Sequence, residues 1–249
     1  MAVTPYQPTL HRLPDDTPGR FQILREFLRR WHGHDTGTVG RTVDRIGAAE
    51  STIKKQLPLG VREWIVLLDD IDRLDVWGEV LRDCWGLRKV PGCPAFALLT
   101  AGEDDQHWGP MLRDLAVEDP PVHTFHLDYD SESSRFKRSG PVAPRVSTWA
   151  IEFILSYLHL SRSVQFERLA SEATLDRLQR TTEPLVRSRI GDTELVEFTD
   201  GLIHATADGQ GMYQLRCYAP FRPEANAAPR DAARALRERV EAMLGATDP

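Results

Sequence analysis

The sequence predicts an α+β fold with an antiparallel sheet, and three features of it do so. Apolar residues recur at helical spacing over 21–71, short apolar stretches bounded by turn residues fill the middle of the chain, and a second set of such stretches follows residue 190. Helices and strands are therefore grouped, and successive strands are joined by hairpin-length turns. That order favours antiparallel pairing over the alternating βαβ order of a parallel sheet.

Residues 1–19 read as an irregular lead-in, because prolines at 5, 8, 14 and 18 remove backbone donors. Phe21, Ile23, Leu24, Phe27, Leu28 and Trp31 then mark an amphipathic helix closed at Gly33. A second helix is expected over 43–57, with Val43, Ile46, Ile53 and Leu57 inward. Leu57-Pro58 ends it, since proline disfavours helical backbone at the residue before it. On a third helix Val61, Trp64, Ile65, Leu68 and Ile71 form one stripe, with Arg62, Glu63, Asp69, Asp70 and Asp72 largely on the other side.

Strands are expected over 76–81, 95–100, 107–112 and 122–127, separated by turn material at Pro91-Gly92, 101–105 and Asp119-Pro120-Pro121. Residues 128–145, rich in Ser, Gly and Pro and carrying Arg135, Lys137 and Arg138, read as a polar loop. Ser147 is expected to cap a helix that is apolar almost all round (Trp149, Ile151, Phe153, Ile154, Tyr157) and hence buried between layers. Residues 164–178 read as a further amphipathic helix, and 194–198, 202–207 and 212–219 as a three-stranded meander. After Pro229, the Ala, Arg and Glu of 230–244 set a terminal helix. The expected organisation is a lead-in over 1–19, an α+β domain over 20–160, and an extension over 161–249 packed on the same core.

With 249 residues, 41% of them hydrophobic, the chain can bury a core without staples. No apolar run approaches the roughly 18 residues of a membrane-spanning helix, and the start lacks a basic leader with an apolar segment, so the expected location is the cytoplasm. Cys84, Cys93 and Cys217 form an odd set without C-x-x-C, which predicts reduced, buried thiols and neither a disulfide framework nor a zinc site. The net charge of −6 is unevenly divided. Residues 63–132 hold 16 acidic against five basic residues, net −11, and the rest of the chain is net +5. Such an excess repels nucleic acid and attracts cationic partners.

Segments that resemble catalytic motifs fail on inspection. Ile65–Asp72 has the apolar-then-acidic order of a magnesium-binding ATPase strand, yet no glycine-rich loop with its lysine is present. Asp128 and Asp130 follow an apolar run like an aspartyl phosphatase nucleophile or a calcium loop, but Glu132, Ser133 and Ser139 stand where those patterns need other residues. Eight histidines are scattered; His32 and His34 sit at a helix end, and His123 and His126 point to opposite faces of one strand. No nucleophile motif occurs. The expectation is a protein without catalytic residues, metal or cofactor. What remains is an acidic surface with an aromatic anchor, formed by Asp69, Asp70, Asp72, Glu103, Asp104, Asp105 and Trp108, as the partner-binding site.

Residues 43–160 resemble the SUKH superfamily, which includes fungal cell-wall-assembly regulators and bacterial immunity proteins. Ile46-Gly47 and Glu50, then Leu57-Pro58 and Trp64, are similar to its opening pattern. The runs from Glu103 to Gly109 and from Leu115 to Val122 resemble its bacterial branch, and Val146-Ser147-Thr148-Trp149 its closing helix. An Asn-Gly pair frequent in the family after the second helix is missing. The resemblance implies a non-enzymatic α+β domain that neutralises a cognate toxin, a nuclease or deaminase, and makes a basic toxin domain the expected partner. The alternatives are a regulatory or scaffolding protein with the same acidic surface and no toxin, or a divalent-metal enzyme using Asp69, Asp70 and Asp72 or Asp128 and Asp130.

Overall fold

The computed structural model describes residues 10, 13–32, 40–72, 88–89, 92–101, 106–128, 135–157, 166–181, 186–190, 193–197, 201–207, 210–218, 234–235, 238 and 240–242 as helices and antiparallel sheets of the α+β class. The chain divides into two compact units. The first holds Pro14–Gln22 and Asp35–Phe153, the second Met1–Leu13, Ile23–His34 and Ile154–Pro249. The expected strand over 76–81, with Trp77, Trp85 and Cys84, lies outside the described residues.

Helix α1 (Thr17–His32) starts inside the expected lead-in. Asp16 is its cap, its Oδ1 accepting the Gly19 N–H at 2.7 Å, and Pro18 falls in the first turn, where a missing N–H costs nothing. Helix α2 (Gly40–Ile53) stops four residues short of the expected end, with Lys54 in the left-handed conformation at φ 55°. Its inward side is centred on Ala49, Ile46 and Ile53; Val43, about 90° round at 100° per residue, is 60% exposed and not buried as expected. Helix α3 (Leu59–Asp72) follows Pro58 and buries Val61, Trp64, Ile65 and Leu68, the stripe read from the sequence.

In the first unit β1 (Arg88–Lys89) pairs with β2 (Phe96–Ala97), and β3 (Leu99–Ala101), β4 (Gln106–Gly109), β5 (Val122–Asp128) and β6 (Arg135–Ala143) form a four-stranded sheet in that order. The strand expected over 95–100 is broken at Leu98, where its register with the next shifts by one residue, Ala95 facing Met111 but Leu99 facing Trp108, yet the hydrogen bonds continue across the break. Leu112, Phe96 and Leu98 donate their N–H groups to the carbonyls of Pro94, Pro110 and Trp108 at 2.9, 2.9 and 2.7 Å. The two ladders are therefore one continuous hydrogen-bonded surface. Gly109 is required there, because a Cβ at that position would run into the Phe96 carbonyl.

Strand β6 corrects the loop expected over 128–145. Its Ser139, Gly140 and Pro141 suit a sheet edge, where one side of the backbone needs no partner and proline is tolerated. Helix α4 (Val146–Tyr157) has the all-round apolar character expected of it, with Trp149, Ile151, Phe153, Ile154 and Leu155 buried.

The second unit carries a five-stranded antiparallel sheet in the order β7-β11-β10-β9-β8, from β7 (Phe166–Ser171), β8 (Val186–Ile190), β9 (Thr193–Glu197), β10 (Leu202–Ala207) and β11 (Met212–Tyr218). The expected meander is its centre. The helix expected over 164–178 is instead β7 followed by α5 (Glu172–Thr181). Pairing with β11 wins over helical spacing at 166–171, and Ser171 makes the switch, its Oγ accepting the Thr174 N–H at 3.3 Å as a helix cap. Gly211 turns the chain into β11 at φ 83°. One face of this sheet packs Ala170, Val196, Ile203, Ala205, Leu215 and Cys217 with Leu175 of α5 and Val240. The described positions of the terminal segment, 234, 235, 238 and 240–242, are helical, and among them only Val240 is buried.

Candidate functional site

Of the residues expected to bind a partner, Asp69, Asp70 and Asp72 occupy the last turn of α3, which contains no Lys or Arg. A helix C-terminus carries roughly half a negative charge from its unpaired carbonyls, so each carboxylate there opposes the dipole by about 0.3–1 kcal/mol. Trp108 is half-buried on β4, where its register partners are Leu99 and Thr124. Glu103, Asp104 and Asp105 fall between β3 and β4, outside the described residues.

Asp119, another acidic residue of the 63–132 segment, is spent on structure. Asp119 Oδ1 accepts the Ser147 N–H at 3.1 Å, and its Oδ2 accepts the hydroxyls of Ser147 at 2.5 Å and Thr17 at 3.5 Å. Ser147, expected to cap α4, does not. The first helical N–H bond runs from Trp149 to the Arg145 carbonyl at 3.0 Å, and Asp119 serves the helix end from a distant turn. Gly60, at the start of α3, lies against the same carboxylate, and its N–H bonds the Glu118 carbonyl at 3.0 Å. Asp119 therefore meets the N-termini of α1, α3 and α4, each of which favours a negative charge. Asp114 lies 3.6 Å from Arg113.

Glu50, a residue of the opening SUKH-like pattern, has a local structural role. Its Oε1 accepts the Leu57 N–H at 2.9 Å and Arg62 Nη2 at 2.5 Å, pinning the turn from α2 to α3.

The histidines on β4 and β5 are inside the sheet. His107 is fully buried with Nδ1 2.9 Å from Thr100 Oγ1, and His123 is buried on the same face, while His126 is exposed. In the second unit Glu197, His204 and Arg216 are buried polar residues of one sheet face, with Trp31 Nε1 donating to Glu197 at 3.0 Å and Arg216 to Gln214 at 2.6 Å. Sequence reading missed this row; its signal was a charged or imidazole side chain at alternate positions of otherwise apolar strands. Each of these groups is at least nine-tenths buried, so none can meet a substrate as placed. The described thiols are buried and free: burial pushes Cys217 up to about 12 and raises Cys93, which leaves both as unreactive thiols at neutral pH. Among the described residues no group of three or more His, Cys, Asp or Glu is arranged to hold a metal ion, and no helix is long and apolar enough to cross a membrane.

No family model, curated protein or solved structure matches the chain. The class that the fold defines is α+β, and the SUKH resemblance rests on the motif residues alone.

Proposed function

We propose that this chain is a non-enzymatic, cytoplasmic binding protein of SUKH type that neutralises a basic toxin domain, a nuclease or deaminase, through an acidic surface around the end of α3 and the segment between β3 and β4. The observation that carries this reading is the last turn of α3. Asp69, Asp70 and Asp72 fall in one helical turn without a Lys or Arg, at a helix end, where the dipole generally favours neutral or basic residues, inside a segment of net −11. Charge kept at a cost to the free protein is explained by a cationic surface that neutralises it on binding, and long-range attraction of that kind accelerates association.

The same substitutions test both halves of this argument. Asp69→Asn, Asp70→Asn and Asp72→Asn together should raise the stability of the free protein by about 1–2 kcal/mol at low ionic strength, less in high salt, as read by urea unfolding. They should also slow association with the partner captured from the producing host and flatten its salt dependence. Adding charge reversal at Glu103, Asp104 and Asp105 should slow it further. Capture of a basic nuclease or deaminase domain whose activity is lost at stoichiometric ratio supports the reading. Unchanged association kinetics, or a partner whose binding is insensitive to salt, rejects it.

A further inference from the structure

Strand β5 is irregular at one place only along its pairing with β6. The register shifts on both sides of His123, between Val122 and His123 and again between His123 and Phe125. At that point the chain has put an imidazole that is 7% exposed, with Nδ1 buried and without a hydrogen-bond partner. The ring makes a backbone hydrogen bond at Ser139 of β6. The side chains around it are known from each neighbouring element. Its charge feels Arg138 of β6, whose Nη1 lies 3.2 Å from Met111 Sδ, and Arg113 and Asp114 of the turn after β4, which lie 3.6 Å from one another. On β4 the register partner is Gly109, which has no side chain to offer, and on β5 itself the Phe125 ring stands 6.2 Å away. Two guanidiniums against one carboxylate make this a poor place for a further positive charge.

We propose that His123 is a proton-operated latch on the pairing of β5 with β6, holding the edge strand in register while neutral and releasing it when protonated in mild acid. Protonation would create a buried N–H donor at Nδ1 with no acceptor, and a cation beside Arg138 and Arg113. The unpaired donor and the share of the repulsion due to Arg138 are relieved when β6 peels away and admits water, at the loss of the ring's bond to the Ser139 backbone. Strand β6 is suited to move: it is the sheet edge, its side chains from Lys137 to Val142 are exposed, and the two register shifts weaken the ladder where the ring sits. Burial first, then Arg138 and Arg113, lower the ring's titration below its ordinary 6.5, against the opposing effects of Asp114 and of the hydrogen bond to the Ser139 backbone. The unfolded or released state thus binds the proton more readily. The stabilisation is fully present above pH 6.5 and is lost as pH falls from there through the lowered folded value.

Hydrogen exchange followed residue by residue from pH 7.5 to 5, corrected for the intrinsic pH dependence of exchange, tests the latch. The amides of β6 should lose protection over this range while those of Ile151–Leu155 in α4 keep theirs, and His123→Phe should abolish the difference while leaving β6 protected at pH 7.5. Equal loss in α4, or a pH dependence that survives in His123→Phe, overturns the proposal. Should that variant fail to fold, the wild-type chain still decides. An NMR titration of the ring with a midpoint below 6.5, coincident with the loss of β6 protection, supports the latch, and a midpoint at or above 6.5 overturns it.

Discussion

Replacing Trp64 with alanine should lower the stability of the first unit by about 4 kcal/mol, the largest single-residue effect expected in the chain. Trp64 is fully buried on α3 and does two things at once. Its ring meets Trp149 edge-on at 4.9 Å and 67°, and Phe153 at 5.7 Å and 89°, geometries in which the positive edge of one ring faces the negative face of the other. Its Nε1 donates to the Leu98 carbonyl at 3.2 Å, and Leu98 is the residue at which the strand breaks between β2 and β3. The indole thus supplies the bond that the broken strand gives up. Trp64→Phe separates the two roles, keeping most of the ring contact but leaving the Leu98 carbonyl unbonded, and should cost about 1–3 kcal/mol. Urea unfolding, with the first unit assigned by exchange of α3 amides, reads both changes as shifts in midpoint at constant slope. A Phe variant as damaged as the Ala variant would mean that the hydrogen bond, and not the packing, dominates; two wild-type midpoints would refute the account of this core.

The contrast between what was and was not legible follows from the same pairing of local and distant causes. The stripe Val61, Trp64, Ile65 and Leu68 was readable because helical periodicity is a local signal, and strand 202–207 because Asp200-Gly201 and the 208–211 turn bracket it. Strand β6 was not, because its Ser, Gly and Pro are loop residues by composition, and only the presence of β5 beside it makes an edge strand of them. Strand β7 was missed for a related reason: its apolar residues fit helical spacing, and the Ser171 cap that stops the strand and starts α5 is visible only once one asks what the Thr174 N–H bonds. The α3 carboxylates were singled out by counting charge, which needs no coordinates. The role of Asp119 could not be found so, since Thr17, Gly60 and Ser147 are brought to it from 102, 59 and 28 residues away in sequence. Charge counting treated it as one more acid of the net −11 segment, whereas three helix ends claim it. This narrows the candidate surface to acids that the fold does not use.

Asp119→Ala should accordingly destabilise the first unit by about 2–4 kcal/mol, although the residue stands in a turn and is only half-buried. The substitution leaves the Ser147 N–H and hydroxyl, both within a buried residue, without an acceptor, and removes the negative charge that the starts of α1, α3 and α4 share. Asp119→Asn keeps the volume and one accepting oxygen but turns an amide N–H₂ toward donors, so it should recover only part of the loss. Glu118→Ala is the natural control. Its side chain is exposed and the contact with Gly60 is through its backbone carbonyl, which alanine also supplies, so a change within about 0.5 kcal/mol is expected. Removing one of two adjacent acids should therefore be costly and removing the other nearly silent, an asymmetry that net charge cannot produce and helix-end geometry requires. Equal midpoints for the two variants in urea would show that Asp119 contributes only as a surface charge and would return it to the set available to a partner.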